Sequence, residues 1–333
     1  MNKKILATLA GVGMAATAMG APTVLADDSV TLVYAELNSM DSTDGMYASF
    51  FKDKVEELTN GSVKIDIQAS GVMGNESDVL DGMISMSGTV DIARVSSYAF
   101  GNYKCNKSAL LGLPFVFESR DHFWKFANSE VGEEVLAEPS DNALGVTGLF
   151  YTEDGFRSFF FKDPVETIDD LADKKIRVSQ DQIMTGMVEA LKASPTVVSF
   201  NELYTSLQSG VVDGAEQPIA AYATNAFNEV APNVILDEHT ISIASVVIAD
   251  SSLDKLSEDQ IEALKEAGKQ TEEYCAKISA EEEEKCKADL EEKGVNFVEV
   301  EDKTPWRDAC ADVISQFTSG VEDTYQAILD TAK

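Results

Sequence analysis

From residue 31 to residue 95 the apolar positions of the chain switch repeatedly between two spacings. Thr31 to Leu37 reads as a strand. Met46, Phe50, Phe51, Val55 and Leu58 recur at helical spacing, which predicts an amphipathic helix over Gly45 to Thr59. The turn signal Thr59-Asn60-Gly61 follows, and Val63, Ile65 and Ile67 alternate as in a half-buried strand. A helix around Glu76 to Met86 then leads to a strand over Val90 to Val95. This β-α-β-α-β run has the makings of a compact first lobe.

The second half repeats the alternation. Gly145 to Tyr151, Phe156 to Phe161, Lys175 to Val178 and Thr196 to Phe200 read as strands, with a helix over Gln182 to Leu191. Asn201 is placed to cap a further helix that stops at Gly210. Ser257 and Gln260 fit a capping box at the start of a helix running to about Gly294. At ~1.5 Å per residue, its ~37 residues span ~55 Å, more than one lobe. The expected fold class is α/β in two lobes. No flexible tract separates the halves, so the lobes should be joined by strands that cross between them. The expected division is 27–150 plus about 240–275 for the first lobe and 151–239 plus about 276–333 for the second.

The first 26 residues stand outside that pattern. Lys3 and Lys4 precede an apolar stretch from Ile5 to Ala21, and Val24-Leu25-Ala26 precedes Asp27-Asp28, the layout of a cleaved secretory signal. The expectation is an extracytoplasmic, periplasmic protein with no insertion into the membrane after cleavage. The whole chain carries 26 basic and 58 acidic residues, a formal charge of −32. Such a surface repels nucleic acid and anionic lipid, so neither is an expected partner. An anionic ligand would need a local cationic pocket. Cys105, Cys275, Cys286 and Cys310 match no zinc spacing. Cys275 and Cys286 share the long helix ~16 Å apart and cannot bridge to each other. Disulfides with other partners and buried thiols both remain open.

Enzyme signatures are missing. The two histidines, His122 and His239, have no nucleophile pattern beside them, and no P-loop, dinucleotide fingerprint or HExxH occurs. No enzymatic activity and no cofactor are expected. The arginines say more: only Arg94, Arg120, Arg157, Arg177 and Arg307 occur among the basic residues. Arg94, Arg157 and Arg177 each sit in a strand-like apolar setting, where an unpaired charge costs several kcal/mol. A guanidinium can offer a carboxylate two parallel hydrogen bonds. Each of the three is therefore either a ligand contact or one half of an internal ion pair.

At these residues the chain resembles the solute-binding proteins of tripartite ATP-independent periplasmic (TRAP) transporters. Asp170 to Val178 (DLADKKIRV) is similar to their DLKGLKIRV segment. Thr59-Asn60-Gly61, Met73-Gly74, Leu113-Pro114-Phe115 and Gly155-Phe156-Arg157 match shorter elements in family order, and Leu203 to Gly214 resembles VYxALQxGVVDG. The resemblance implies a periplasmic binding protein (Venus-flytrap) fold with a long helix spanning both lobes. A small organic carboxylate would bind in the cleft by hinge closure, for delivery to TRAP membrane subunits that an ion gradient drives. It implies Arg177 as the arginine that salt-bridges the carboxylate and Arg157 as a second arginine nearby. Gln217 falls where sialic-acid-type members carry an Asn, Phe200 where a ring packs on the ligand, and Ser96 at a ligand-facing position of the opposite lobe.

Some positions depart from the family. Asp173 replaces its Gly, Ala172 its Lys and Lys174 its apolar residue, and Arg94 stands where an apolar residue is usual. Ile92, Arg94 and Ser96 share a strand face, so Arg94 is expected to add an anion contact that favours a dicarboxylate. Dicarboxylates, sugar acids, keto acids and aromatic acids would all present the same group to Arg177. Glu216 could lend an oxygen to a metal. The rival readings are a receptor for an ABC importer, a sensory receptor, and an exported carboxylate-dependent hydrolase.

Overall fold

The computed structural model describes residues 29–333, so the expected signal segment, 1–26, lies outside the described residues. The first lobe begins with strand β1 (Val30–Ala35), helix α1 (Thr43–Leu58), strand β2 (Val63–Gln68), helix α2 (Glu76–Ile84) and strand β3 (Ile92–Ser96). The side chain of Ser42 caps α1 by accepting from Gly45 N, and that of Asn75 caps α2 by accepting from Asp78 N. Strand β4 (Val146–Phe161) leads into β5 (Lys175–Val178), β6 (Ser194–Val197), β7 (Gly214–Pro218), β8 (Asn233–Ala249) and β9 (Asn296–Glu299). The strand order is β2-β1-β3-β8-β4-β7-β5-β6, with β9 alongside β8.

The two lobes are joined through β4 and β8. These run antiparallel, Val146 to Glu153 against Ala249 to Ile243 and Phe156 to Phe161 against Ile241 to Asn233. The far end of β8 also pairs with β3, and its near end with β9. The sequence suggests two strands over 145–161; the structure has one long strand with a register shift between Glu153 and Phe156. Gly155 sits in that shift at φ +96°, and a Cβ there would collide with the Glu283 and Arg120 side chains. Only glycine fits.

Strand β8 escapes the periodicity altogether. Its apolar alternation is interrupted by Asp237, Glu238, His239 and Thr240, where the strand passes between lobes. Asp237, His239 and Thr240 are nonetheless buried, since Asp237 accepts from Phe159 N and pairs with His239, and Thr240 donates to Leu113 O.

The predicted capping box is present. The Ser257 side chain accepts from Gln260 N while that of Gln260 accepts from Ser257 N, opening a helix over Glu258–Glu292. Its 35 residues extend ~53 Å. Leu264 and Ala267 enter the first-lobe core with Leu32, Phe51 and Val246, while Leu290 enters the second-lobe core with Phe160, Leu203 and Tyr222. Burying such a side chain is worth roughly 1.5–3 kcal/mol, so both ends are anchored. Among the described residues no helix is long and apolar enough to cross a membrane.

Two local expectations are corrected. Strand β6 ends at Val197, and Phe200–Glu202 forms a 3-10 turn before the helix Leu203–Ser209. Asn201 is not its cap: its side chain lies against Gly71 of the other lobe. Gly210 does close that helix, in the left-handed conformation. All four cysteines are free thiols, with Cys105, Cys275 and Cys310 buried. Burial pushes the Cys310 thiol up to about 12.

Candidate functional site

A cavity of about 160 Å³ lies between the lobes. At roughly 10–15 Å³ per water-sized centre, that is room for on the order of ten small groups, the scale of a small organic molecule. All six residues singled out in the sequence line it: Arg94 and Ser96 from β3, Arg157 from β4, Arg177 from β5, Gln217 from β7, and Phe200 from the turn after β6. Leu37, Asp44 and Glu76 contribute from the first lobe, and Asp154 and Ser242 from the crossing strands. The lobes touch beside it. Asn102 Nδ2 donates to Gln180 O at 2.9 Å, and the Tyr98 and Ser179 hydroxyls lie 3.3 Å apart.

Arg177 is 3% exposed. Its Nε donates to the Val198 carbonyl at 2.8 Å, and among the described residues it forms no ion pair with a carboxylate. Burial holds its pKa below the ordinary guanidinium value, with Glu216 pulling the other way. A buried cation with a neutral carbonyl as its fixed partner carries a charge that no close counter-ion offsets. The turn before β5 explains how the strand reaches this place without the family glycine. Asp173 takes φ +65°, a left-handed conformation that Asp tolerates better than most side chains. Its N donates to Lys192 O at 3.0 Å.

Arg157 also lines the cavity, but its charge is already matched. Its Nε and Nη2 bond both carboxylate oxygens of Glu216, which is fully buried. Burial disfavours both charges, yet the pairing holds Glu216 down at about 2 and raises Arg157 above its ordinary value. Glu216, a possible metal ligand from sequence, is thus committed to arginine. Behind it, His239 Nδ1 lies 2.8 Å from Asp237 Oδ2 and Nε2 lies 3.6 Å from Glu216. Burial would lower the imidazole, but Asp237 and Glu216 outweigh it and raise His239 to about 9. His239 is a buried ionic partner rather than a residue of the cavity wall. His122 is occupied as well, with Nδ1 accepting from Glu118 N and Nε2 meeting Ile328 O.

Arg94 is also ion-paired. Its Nη2 bonds Asp154 Oδ2 and lies 2.7 Å from Asp44 Oδ1, while Nε donates to Thr152 Oγ1 at 2.9 Å. On the same strand the Ser96 amide donates to Glu76 Oε1 at 2.5 Å. Phe200 is braced edge-on by Phe227, ring centres 6.1 Å apart at 85°, which fixes one face of the ring while another lines the cavity. Asp44 and Asp154 are site residues that sequence reasoning missed. Asp44 reads as an ordinary first-turn acid of α1, and Asp154 is one of 58 acids. The only available signal was the adjacency of Asp154 to Gly155-Phe156-Arg157.

Comparison with known proteins agrees with this geometry. A family model described as "Bacterial extracellular solute-binding protein, family 7" matches residues 34–320. A solute-binding protein of Roseobacter denitrificans is 33% identical over 251 residues, covering 75% of this chain and 76% of that protein. Its crystal structure, titled a TRAP periplasmic solute binding protein with bound L-galactonate, superposes at a TM-score of 0.83 with 29% identity, covering 90% of this chain and 98% of that one. A TRAP periplasmic solute binding protein of Xanthobacter autotrophicus Py2 with bound β-D-galacturonate gives a TM-score of 0.85 at 26% identity, covering 90% and 99%. The C4-dicarboxylate-binding periplasmic protein DctP of Rhodobacter capsulatus is 25% identical over 316 residues, 94% of this chain and 93% of that one. With two lobes joined by long strands, a cleft between them and a match over most of its length, the chain belongs to bacterial extracellular solute-binding protein family 7.

Proposed function

We propose that this protein captures a small organic carboxylate of the sugar-acid class in the interlobe cavity and presents it, from the periplasm, to the membrane subunits of a TRAP transporter. The observation that carries the reading is Arg177, a buried guanidinium on the cavity wall that, among the described residues, forms no ion pair with a carboxylate. A ligand carboxylate would take its remaining N–H groups as a charge-assisted pair. Gln217 can add an amide hydrogen bond, and Phe200 a flat apolar face for a sugar ring. Arg157, its charge matched by Glu216, braces the wall with Nη1 donating to Ser242 Oγ. Galactonate and galacturonate in related structures support the ligand class. Receptor rather than catalyst is the role that the solute-binding family description supports.

The test is calorimetric titration of the purified protein with galacturonate, galactonate and other sugar acids, repeated on Arg177→Ala. Removing one partner of a buried, hydrogen-bonded charge pair costs roughly 2–4 kcal/mol, about 30- to 1000-fold in affinity. Binding that survives the substitution unchanged would refute the assignment of Arg177, and conversion of the ligand to a product would refute the receptor role.

A further inference from the structure

Opposite Arg177, the first-lobe end of the cavity holds more acid than base. Arg94 is the arginine there, and Asp44 and Asp154 both contact it from the cavity wall. Glu36, just behind, is 1% exposed and lines an adjoining small pocket with Arg94. Three carboxylates thus surround one guanidinium. Three of their oxygens, Glu36 Oε2, Asp44 Oδ1 and Asp154 Oδ1, are buried without a hydrogen-bond partner. Asp44 Oδ1 is near Arg94 Nη2 at 2.7 Å but lacks hydrogen-bonding alignment. Asp44 is 5% and Asp154 8% exposed. Buried acceptors left open in this way are uncommon in folded proteins and call for a donor.

On the donor side, Nε of Arg94 is taken by Thr152 and Nη2 by Asp154, which leaves Nη1. The end of the cavity therefore offers several acceptors beside the Nη1 N–H groups, with more acids than bases around them. A ligand carboxylate can only accept, and it would bring one more acid to a place where acids already outnumber the base. A ligand ammonium can only donate, and would leave Nη1 unused beside another cation. A hydroxyl does both.

We propose that Asp44, Asp154 and Arg94 form a hydroxyl-binding subsite that selects a polyhydroxy monocarboxylate and rejects the corresponding dicarboxylate. This rests on the sugar-acid reading above and deepens it. It reverses the role expected of Arg94 from sequence, where the strand face alone suggested a second anion contact. The arginine is instead the centre of an acidic cluster, with two aspartates in contact with it at the cavity wall.

Galactonate and galactarate provide the test, since they share a carbon chain and differ in that a terminal CH2OH becomes a carboxylate. Galactarate is meso, so one diacid serves as the comparison for either galactonate enantiomer. In titrations at neutral pH the expected result is galactonate binding at least tenfold more tightly than galactarate. Asp154→Asn should narrow that ratio at least threefold, by weakening galactonate and relieving repulsion of the diacid. Asp44→Asn, on a different element, should act in the same direction if Asp154→Asn fails to fold. Galactarate binding as tightly as galactonate would overturn the subsite while leaving the receptor reading intact. Binding of neither acid would overturn the subsite and the sugar-acid class together. A ratio unmoved by both folded variants would also overturn it.

Discussion

The two ends of the cavity use the same residue type to opposite effect. Arg177 on β5 is buried beside a carbonyl, with no acid among the described residues bonded to it. Arg94 on β3 is buried among Asp44, Asp154 and Glu36. Burial penalises both guanidinium charges. In Arg177 that penalty is left standing and holds its pKa down, so an incoming anion gains the full benefit of relieving it. In Arg94 the acids outweigh burial and raise its pKa, so no such penalty is left for an incoming anion to relieve. Arg157, clamped by Glu216 between the two ends, belongs with Arg94 in its pairing and with Arg177 in its position. An arginine on a cleft wall is therefore an anion site only when the protein has withheld its own carboxylates.

The sharpest way to break this contrast is to strip Arg157 of its partner. Glu216→Ala leaves a buried guanidinium unpaired, and should cost about 3–5 kcal/mol of stability in denaturant unfolding. A loss under about 1 kcal/mol would show that Arg157 does not depend on Glu216. The neighbouring His239 sharpens the picture through pH. Its folded pKa of about 9 lies above the ordinary 6.5. The stabilisation is thus fully present below about pH 6.5 and is lost as pH rises through about 9. Melting curves over that window should show the wild type losing on the order of 2 kcal/mol that His239→Gln does not lose. Parallel curves for the two proteins would rule out a charged His239. The smallest effect should come from Phe200→Ala, which leaves every charge in place. It should weaken ligand binding by about 1–2 kcal/mol, roughly 5- to 30-fold, with stability nearly unchanged. Unchanged affinity would mean the ring only faces the cavity.

Legibility followed locality. The helices α1 and Glu258–Glu292 and the strands β2 and β5 were readable because their apolar spacing and caps are set by near neighbours in the chain. Strand β8 was not, because the polar run Asp237 to Thr240 hides it. That run is tolerated only since His239 reaches Asp237 and lies near Glu216, and since Thr240 Oγ1 donates to Leu113 O. At the site, the family resemblance led to five residues that line the cavity and the strand face led to Arg94, yet neither revealed the partners. Asp44 lies 50 positions from Arg94, Asp154 lies 60 positions away, and Glu216 lies 59 positions from Arg157. Nothing in the local sequence marks those acids among so many others.

The sequence by itself determined the alternation of strands and helices, the two-lobed α/β class and the presence of arginines in apolar strands, since these follow from side-chain periodicity and the cost of burying a charge. Only the tertiary structure decided which arginine remains open to a ligand. That depends on which carboxylates the crossing strands and α1 carry to within bonding distance, and electrostatic pairing acts through space without regard to separation along the chain.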